Sequence, residues 1–313
     1  DFDDVKSNLK LFLEAQNEFT DYDFEGSGIS VLLDILAYNT HYLGFNMNML
    51  ANEMFLDSAS LRSSVVSHAK TLGYETASNR ASKAEVNVIL FDSVKTTGTL
   101  PAGTVFTTSV DDVDYQFVTV ESFTASNSGS QIKFENIPIF EGTFVTTRIT
   151  VDQTDVDQRF VIPDNRADTN TLVVVVQTSS SDSSSTTFTK ATDISQVSST
   201  SNSYFIQEVE NGKHEVYFGD GVIGKALSDG NIVILSYVVT NTTIANTASV
   251  FSNAAAIDTV VDVSVETVSP ASGGAGAETI ESIKFNAPLD YAAQGRCVTA
   301  EDYKTFVRQY YPN

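Results

Sequence analysis

A chain of 313 residues, 42% of them hydrophobic, is long enough for two or three compact domains, each with a core of its own. Eighteen Lys and Arg against 40 Asp and Glu leave a net charge of −22, a surface that repels phosphate backbones and anionic lipid, which argues against nucleic acid and membranes as partners. The single cysteine, Cys297, excludes an intrachain disulfide framework; with no CxxC or Cys/His cluster it reads as a small half-buried residue in a protein made in a reducing compartment.

The first eighty residues read as helices. Phe2, Val5, Leu9, Phe12, Leu13, Gln16 and Phe19 keep a three-to-four spacing that predicts a helix over 3–19, with Asp3 and Asp4 in a first turn whose dipole favours carboxylates. DYDFEGSG then turns the chain on its two glycines. A second helix is predicted over 28–56. Ile29, Leu36, Leu43 and Leu50 recur every seven residues, and Leu33, Thr40, Met47 and Met54 form a second series of the same period, the pattern of a coiled-coil seam. A third series, Ile35, Tyr42, Met49 and Leu56, lies on another side, and a helix apolar on so many sides cannot rest on one partner. From Ile35 to Asn52 there is no Asp, Glu, Lys or Arg, yet the asparagines, Thr40 and His41 would be stranded in hydrocarbon, so this is no bilayer span. Ser58 reads as the N-cap of a third helix that ends at Gly73.

After about residue 80 the period changes to two. AEVNVILF, YQFVTVESF, QIKFENIPIFEGTFVTTRITV, RFVIP and TLVVVVQT are rich in Val, Ile, Thr and aromatics between turn residues. TSSSDSSSTT at 178–187 reads as a long exposed loop. YFIQEVENGKHEVYF predicts a hairpin on its ENGK turn, followed by the strand NIVILSYVV. The GGAG stretch reads as a connector, and Thr299 with Asp302 as a capping box that starts a last helix. The whole is predicted to be an α+β multidomain protein: a bundle-forming helical region at 1–80, a β-rich domain at 81–177, a second β-rich segment at 178–268 with the Ser/Thr-rich loop, and at 269–313 a connector and the helical start of a further α/β domain. A first residue other than Met and a last segment inside a helical pattern suggest a fragment of a longer chain.

No motif carries catalysis. Gly219, Gly221 and Gly224, with Asp220 among them, match GxGxxG, but the KALSDGNIVILSYVV that follows is another turn and strand, with no helix to present its N-terminus to a pyrophosphate. These residues read as a glycine-shaped structural turn, and no cofactor is implied. His41, His68 and His214 are scattered over different elements without metal spacing. Carboxylate pairs among Asp111, Asp112, Asp114, Asp152, Asp155 and Asp157 read as solvated loops, so no catalytic residue, metal or small-molecule substrate is assigned. The residues that carry function are placed on the second helix: Ile29, Leu33, Leu36, Leu43, Met47, Leu50 and Met54 are expected to form an interface.

Three blocks carry a resemblance. DFEGSGISVLLDILAYNTHYLGFNMNMLANEMFLDSASLRSSVVSHAKTLGY, FGDGVIGKALSDGNIVILSY and SIKFNAPLDYAAQGRCVTAEDYKTFV, in this order, resemble the baseplate wedge subunit of T4-like contractile-tailed phages, within the broader baseplate J-like family. The resemblance implies a non-enzymatic virion protein, assembled in the host bacterial cytoplasm, whose N-terminal helices bundle with a second copy and with other wedge proteins. It also implies a C-terminal part that joins wedges into a ring around the tail hub and near the sheath, and a ring that changes diameter on contraction. The competing expectation is a β-rich tail adhesin that uses the exposed loop at 178–203 as its contact surface.

Overall fold

A computed structural model describes residues 1–16, 18, 27–92, 94–155, 158–192, 194–253, 255–294, 296–300, 302–304 and 307. The chain divides into two compact units, Asp1–Thr71 and Leu72–Asn313.

The first unit is helical. α1 (Phe2–Glu14) opens on a capping box in which Asp1 accepts from the Asp4 N–H. Its half-buried residues Phe2, Val5, Leu9 and Leu13 follow the predicted spacing, while Phe19 lies outside the described residues. α1 contacts α2 (Gly28–Glu53), and Lys6 Nζ lies 2.5 Å from Asp34 Oδ1 of that helix. Ser27 caps α2, its hydroxyl accepting from Ser30 N at 3.0 Å. α3 (Arg62–Thr71) is shorter than expected, because Ser58 does not cap it: the Ser58 hydroxyl donates to Asn52 O at 2.6 Å and closes the end of α2. Glu53 does the capping. Its carboxylate accepts from Ser60 N at 2.8 Å, Ser60 Oγ at 2.6 Å and Leu61 N at 3.2 Å.

The second unit holds two large antiparallel-rich sheets. The first has the order β14–β1–β6–β4–β3, built from β1 (Lys83–Phe91), β3 (Val105–Val110), β4 (Val113–Val118), β6 (Gln131–Glu141) and β14 (Val263–Ser272). β1 alternates as its sequence predicts: Ala84, Val86, Val88 and Leu90 point into a core with Phe106, Phe117, Ile132 and Ile139. Phe251, from the coil before β14, meets Phe117 edge to face at 4.9 Å. β2 (Thr97–Leu100) and β5 (Phe123–Ser126) form a separate pair.

The second sheet has the order β7–β13–β9–β10–β11–β12–β8. Its strands are β7 (Thr143–Thr150), β8 (Phe160–Val161), β9 (Ala167–Gln177), β10 (Ser185–Lys190), β11 (Ser203–Glu208), β12 (His214–Phe218) and β13 (Ile232–Val239). Ile162, Val174, Phe188, Val216, Val233 and Leu235 form its core.

Sheet pairing does not follow the partition at 177/178 expected from the sequence. β7, β8 and β9 belong with the later strands, and β14 returns to pair with β1, Lys83 facing Ser272. The second sheet is thus an excursion between β6 and β14. The crossing out is at Glu141 and Gly142. Glu141, 1% exposed, accepts from Thr240 Oγ1 at 2.7 Å, Asn241 N at 2.9 Å and Asn241 Nδ2 at 2.8 Å, tying the end of β6 to the chain leaving β13. Glu141→Ala strands the buried Thr240 hydroxyl and removes the acceptor of two donors of the more exposed Asn241, and is expected to cost about 1–3 kcal/mol, read as a lower urea midpoint at unchanged m-value. An unchanged midpoint would show that water reaches this junction.

Residues 74–82 run without regular structure, yet their polar groups bind throughout the second unit. Thr76 Oγ1 donates to Glu208 at 2.6 Å, Asn79 Nδ2 to Asn165 O at 2.8 Å and Ala81 N to Asp168 Oδ2 at 2.8 Å. Burial pushes the Asp168 carboxyl up, against the hydrogen bonds from Ala81 and Asn170 that favour its charge.

Three further expectations are corrected. The serine tract is not wholly a loop: Ser185–Lys190 pairs with β9, Phe188 opposite Val174, because Phe188 (3% exposed) has a core to enter; only 178–184 turns. A helix, α4 (Ile280–Ala293), stands where a connector was expected, its N-cap Thr279 accepting from Ser282 N and its pattern interrupted by Pro288. β14 runs through Pro270, tolerated because it is an edge strand. Cys297, expected half-buried, is exposed. The Thr299–Asp302 capping box is formed, with Asp302 N donating to Thr299 Oγ1 at 3.2 Å and Thr299 N to Asp302 Oδ2 at 2.8 Å.

Candidate assembly interface

The seven residues assigned to the seam of α2 do not share one environment. Leu33 is 4% exposed and buries with Ser30 and Ala37, while Ile29 is half-buried. These two serve the chain's own fold, which removes Leu33 from any surface open to a partner. Beyond them only Ala37, 0% exposed, is covered among the apolar residues of the helix. Leu36 is 52% exposed, Leu43 54%, Met47 69%, Leu50 64% and Met54, the C-cap residue, 66%. The other sides are no better hidden: Ile35, Tyr38, Tyr42, Phe45 and Met49 are all exposed, Tyr38 stacking on Tyr42 at 6.4 Å. A Cβ built on Gly44, in the middle of this stretch, meets nothing within 4 Å, so nothing in the chain itself requires a glycine there.

Charge is absent from this surface and appears only at its end. Glu53 is held well below the usual carboxylate range, at about 2, first by the Ser60 hydroxyl and then by the Ser60 backbone and Ser64 hydroxyl. His68 Nε2 lies 2.9 Å from Glu53 O, so α3 is fastened to the end of α2 at two points. A lowered folded pKa means that this fastening is fully present above about 4.5, the ordinary value, and is lost as pH falls towards about 2. Acidification through that window is expected to loosen α3 from α2 in the parent but not in Glu53→Gln, which starts loosened. A Glu53 carboxyl that titrates near 4.5 by carbon-detected NMR would remove the cap.

The glycine motif forms a closed turn between β12 and β13. Asp220 Oδ1 accepts from Val222 N at 2.9 Å and Ile223 N at 3.0 Å, and these bonds hold its carboxyl below the usual range. Gly221 N donates to Gly224 O at 3.0 Å. Gly221 and Gly224 have φ of +89° and +85°, and a Cβ on Gly219 would stand 2.3 Å from Ile223 O, so each glycine is a steric requirement of this turn. The next regular element is a strand, with no helix N-terminus facing the loop.

The other candidates are placed apart. Asp111 and Asp112, with φ of +52° and +62°, make the two-residue turn from β3 to β4, and Asp152 closes a turn by accepting from Thr154 N at 2.9 Å; Asp157 lies outside the described residues. His41 is exposed on α2, His68 binds Glu53 O and His214 is buried on β12. Among the described residues no group of three His, Cys, Asp or Glu is placed to hold a metal ion, and no helix is long and apolar enough to cross a membrane.

Residues 1–74 match a family model described as the helical domain of gp6-like baseplate wedge proteins, and residues 144–263 match one described as the third domain of the bacteriophage baseplate wedge protein gp6. The second match begins in β7 and ends at the first residue of β14, so it spans the excursion that forms the second sheet. The baseplate wedge protein gp6 of Enterobacteria phage T4 is 32% identical over 337 aligned positions, covering 98% of this chain and 49% of that protein. The chain therefore spans about half the length of this relative. Superposition on a chain of the anti-feeding prophage baseplate covers 99% of this chain and 56% of the other, at 13% identity and a TM-score of 0.29, too loose to add weight. By sequence, both matched segments are similar to domains of baseplate wedge proteins.

Proposed function

We infer, from a chain whose helical region and inserted sheet both match baseplate wedge domains, that this protein is a structural subunit of a contractile-tail baseplate wedge. The reading places it in the virion, with the T4-like, baseplate J-like group, assembled in the host cytoplasm and without a catalytic role. The observation that carries it is α2: uncharged from Ile35 to Asn52, with apolar side chains exposed on all sides beyond Ala37. Covering a large apolar side chain is worth about 1.5–3 kcal/mol, so Leu36, Leu43, Met47, Leu50 and Met54, still half to two-thirds open, offer on the order of 5–10 kcal/mol before ordering costs. A lone molecule in water would have this as an aggregation surface. In a wedge it is the core of a helical bundle built with a second copy and with other wedge proteins, and Gly44 lets a neighbouring backbone come close. The joining of wedges around the tail hub belongs to the same reading.

Size-exclusion chromatography with light scattering, on the chain alone and mixed with each purified wedge protein of the same virion, tests this. The expected result is a discrete hetero-complex that also stops the chain from self-aggregating. A monodisperse monomer that ignores every wedge protein would sink the reading.

A further inference from the structure

The glycine turn has a property that a bundle at α2 does not use. Val222 and Ile223 at its tip are 73% and 44% exposed, although two glycines at positive φ, the Asp220 clamp and the Gly221–Gly224 bond fix the backbone that carries them. Its base is anchored as well: Gly224 N donates to Ser198 O at 3.1 Å and Lys225 N to Ser201 O at 2.9 Å. Apolar side chains held in one position before contact lose little freedom on binding, which is how anchors of an interface behave. The same end of the sheet is acidic. Asp220 is in the turn itself; Gln153 N donates to Asp229 Oδ1 at 3.0 Å, which brings the loop carrying Asp152 beside the one carrying Asp229. All three are exposed; among the described residues the exposed cations near them are Lys225 and Arg159, the latter paired with Glu215 at 2.7 Å. Backbone and hydroxyl donors hold Asp152 and Asp220 below the usual carboxylate range, so their charge persists in mild acid.

We propose that this end of the second sheet docks a partner protein that offers an apolar pocket rimmed by lysine or arginine, with Val222 and Ile223 as the inserted anchors. A second copy is disfavoured as the occupant, because its own Asp152, Asp220 and Asp229 would face these. Nucleic acid and anionic lipid are opposed by the same charges. The proposal rests on the baseplate reading only for its choice of probes.

The test is pairwise binding of the immobilised chain to each purified baseplate protein of the same virion, and to itself. One heterologous protein is expected to bind in a salt-sensitive way, weaker at about 500 mM than at about 50 mM NaCl. Val222→Ser with Ile223→Ser should weaken it at least tenfold with an unchanged melting temperature, and Leu36→Glu with Leu43→Glu should leave it unchanged. Asp220→Ala, which frees the turn but keeps both anchors, should weaken it less. If every baseplate protein that binds the parent chain binds the tip variant equally well, the docking site alone is overturned. Loss of self-association, or of binding to a host glycan surface, in place of a baseplate protein overturns it too. A parent chain that binds no baseplate protein at all overturns both the docking site and the wedge reading.

Discussion

Replacing Leu36 and Leu43 together with glutamate abolishes co-assembly of this chain with a second copy and with the wedge proteins that bundle on α2, while both of its units stay folded. Two contributions add up. Each leucine withdraws the remaining half of an apolar burial worth about 1.5–3 kcal/mol, and each glutamate brings a carboxylate into a contact to which α2 offers no Lys or Arg from Ile35 to Asn52, at several kcal/mol per buried charge. The sum exceeds about 5 kcal/mol, a loss of more than about a thousandfold in affinity. The fold is spared because both positions are more than half exposed and glutamate is a good helix former. Leu33→Glu, one turn away, is the opposite case. Leu33 is 4% exposed, so its replacement damages the helical unit first and assembly only as a consequence. Circular dichroism with light scattering separates the two variants. Undiminished co-purification of the double variant would place the interface elsewhere.

The second large effect is expected at Gly142, between the last residue of β6 and the first of β7. Its φ is +127°, and a Cβ there would stand 2.2 Å from Val239 O and 2.8 Å from Val238 Cγ1. The nearer obstacle is backbone of β13, hydrogen-bonded in a sheet and unable to step aside. Gly142→Ala therefore combines backbone strain of about 1–3 kcal/mol with overpacking of about 1–3 kcal/mol. In a unit of this size that lowers the melting temperature by on the order of 10 °C. Gly129 provides the control, since its φ is +67° but nothing lies within 4 Å of its Cβ position. Equal thermal shifts for Gly129→Ala and Gly142→Ala would mean that the conformation alone, and not the sheet crossing, sets the cost.

Much of the local structure is legible in the residues. The three helices of the first unit, the alternation of β1 and the hairpin on Glu210–Gly212, where Asn211 and Gly212 take positive φ, follow from spacing and turn chemistry that act between near neighbours. The misread elements fail for equally local reasons. Pro288 hides α4, Pro270 hides the end of β14, and the serines around Asp182 hide a strand that exists because Phe188 finds a core. The position of Ser58 predicts it as the cap of α3, whereas Glu53, at the end of the preceding helix, accepts from the Ser60 and Leu61 N–H groups.

By itself the sequence determined the acidity of the surface, the types of most elements, the closed glycine turn and the surplus of apolar surface on α2. Each of these depends on composition or on contacts a few residues apart. Only the tertiary structure decided that β14 returns to β1, that the second sheet departs at Gly142, and that Leu33 is spent on the chain's own fold while Leu36 is left open. One heptad pattern runs through Leu33 and Leu36 alike, and strand pairing between distant segments leaves no periodic trace. Burial at these places is set by what the rest of the chain brings against them, which no window of sequence contains.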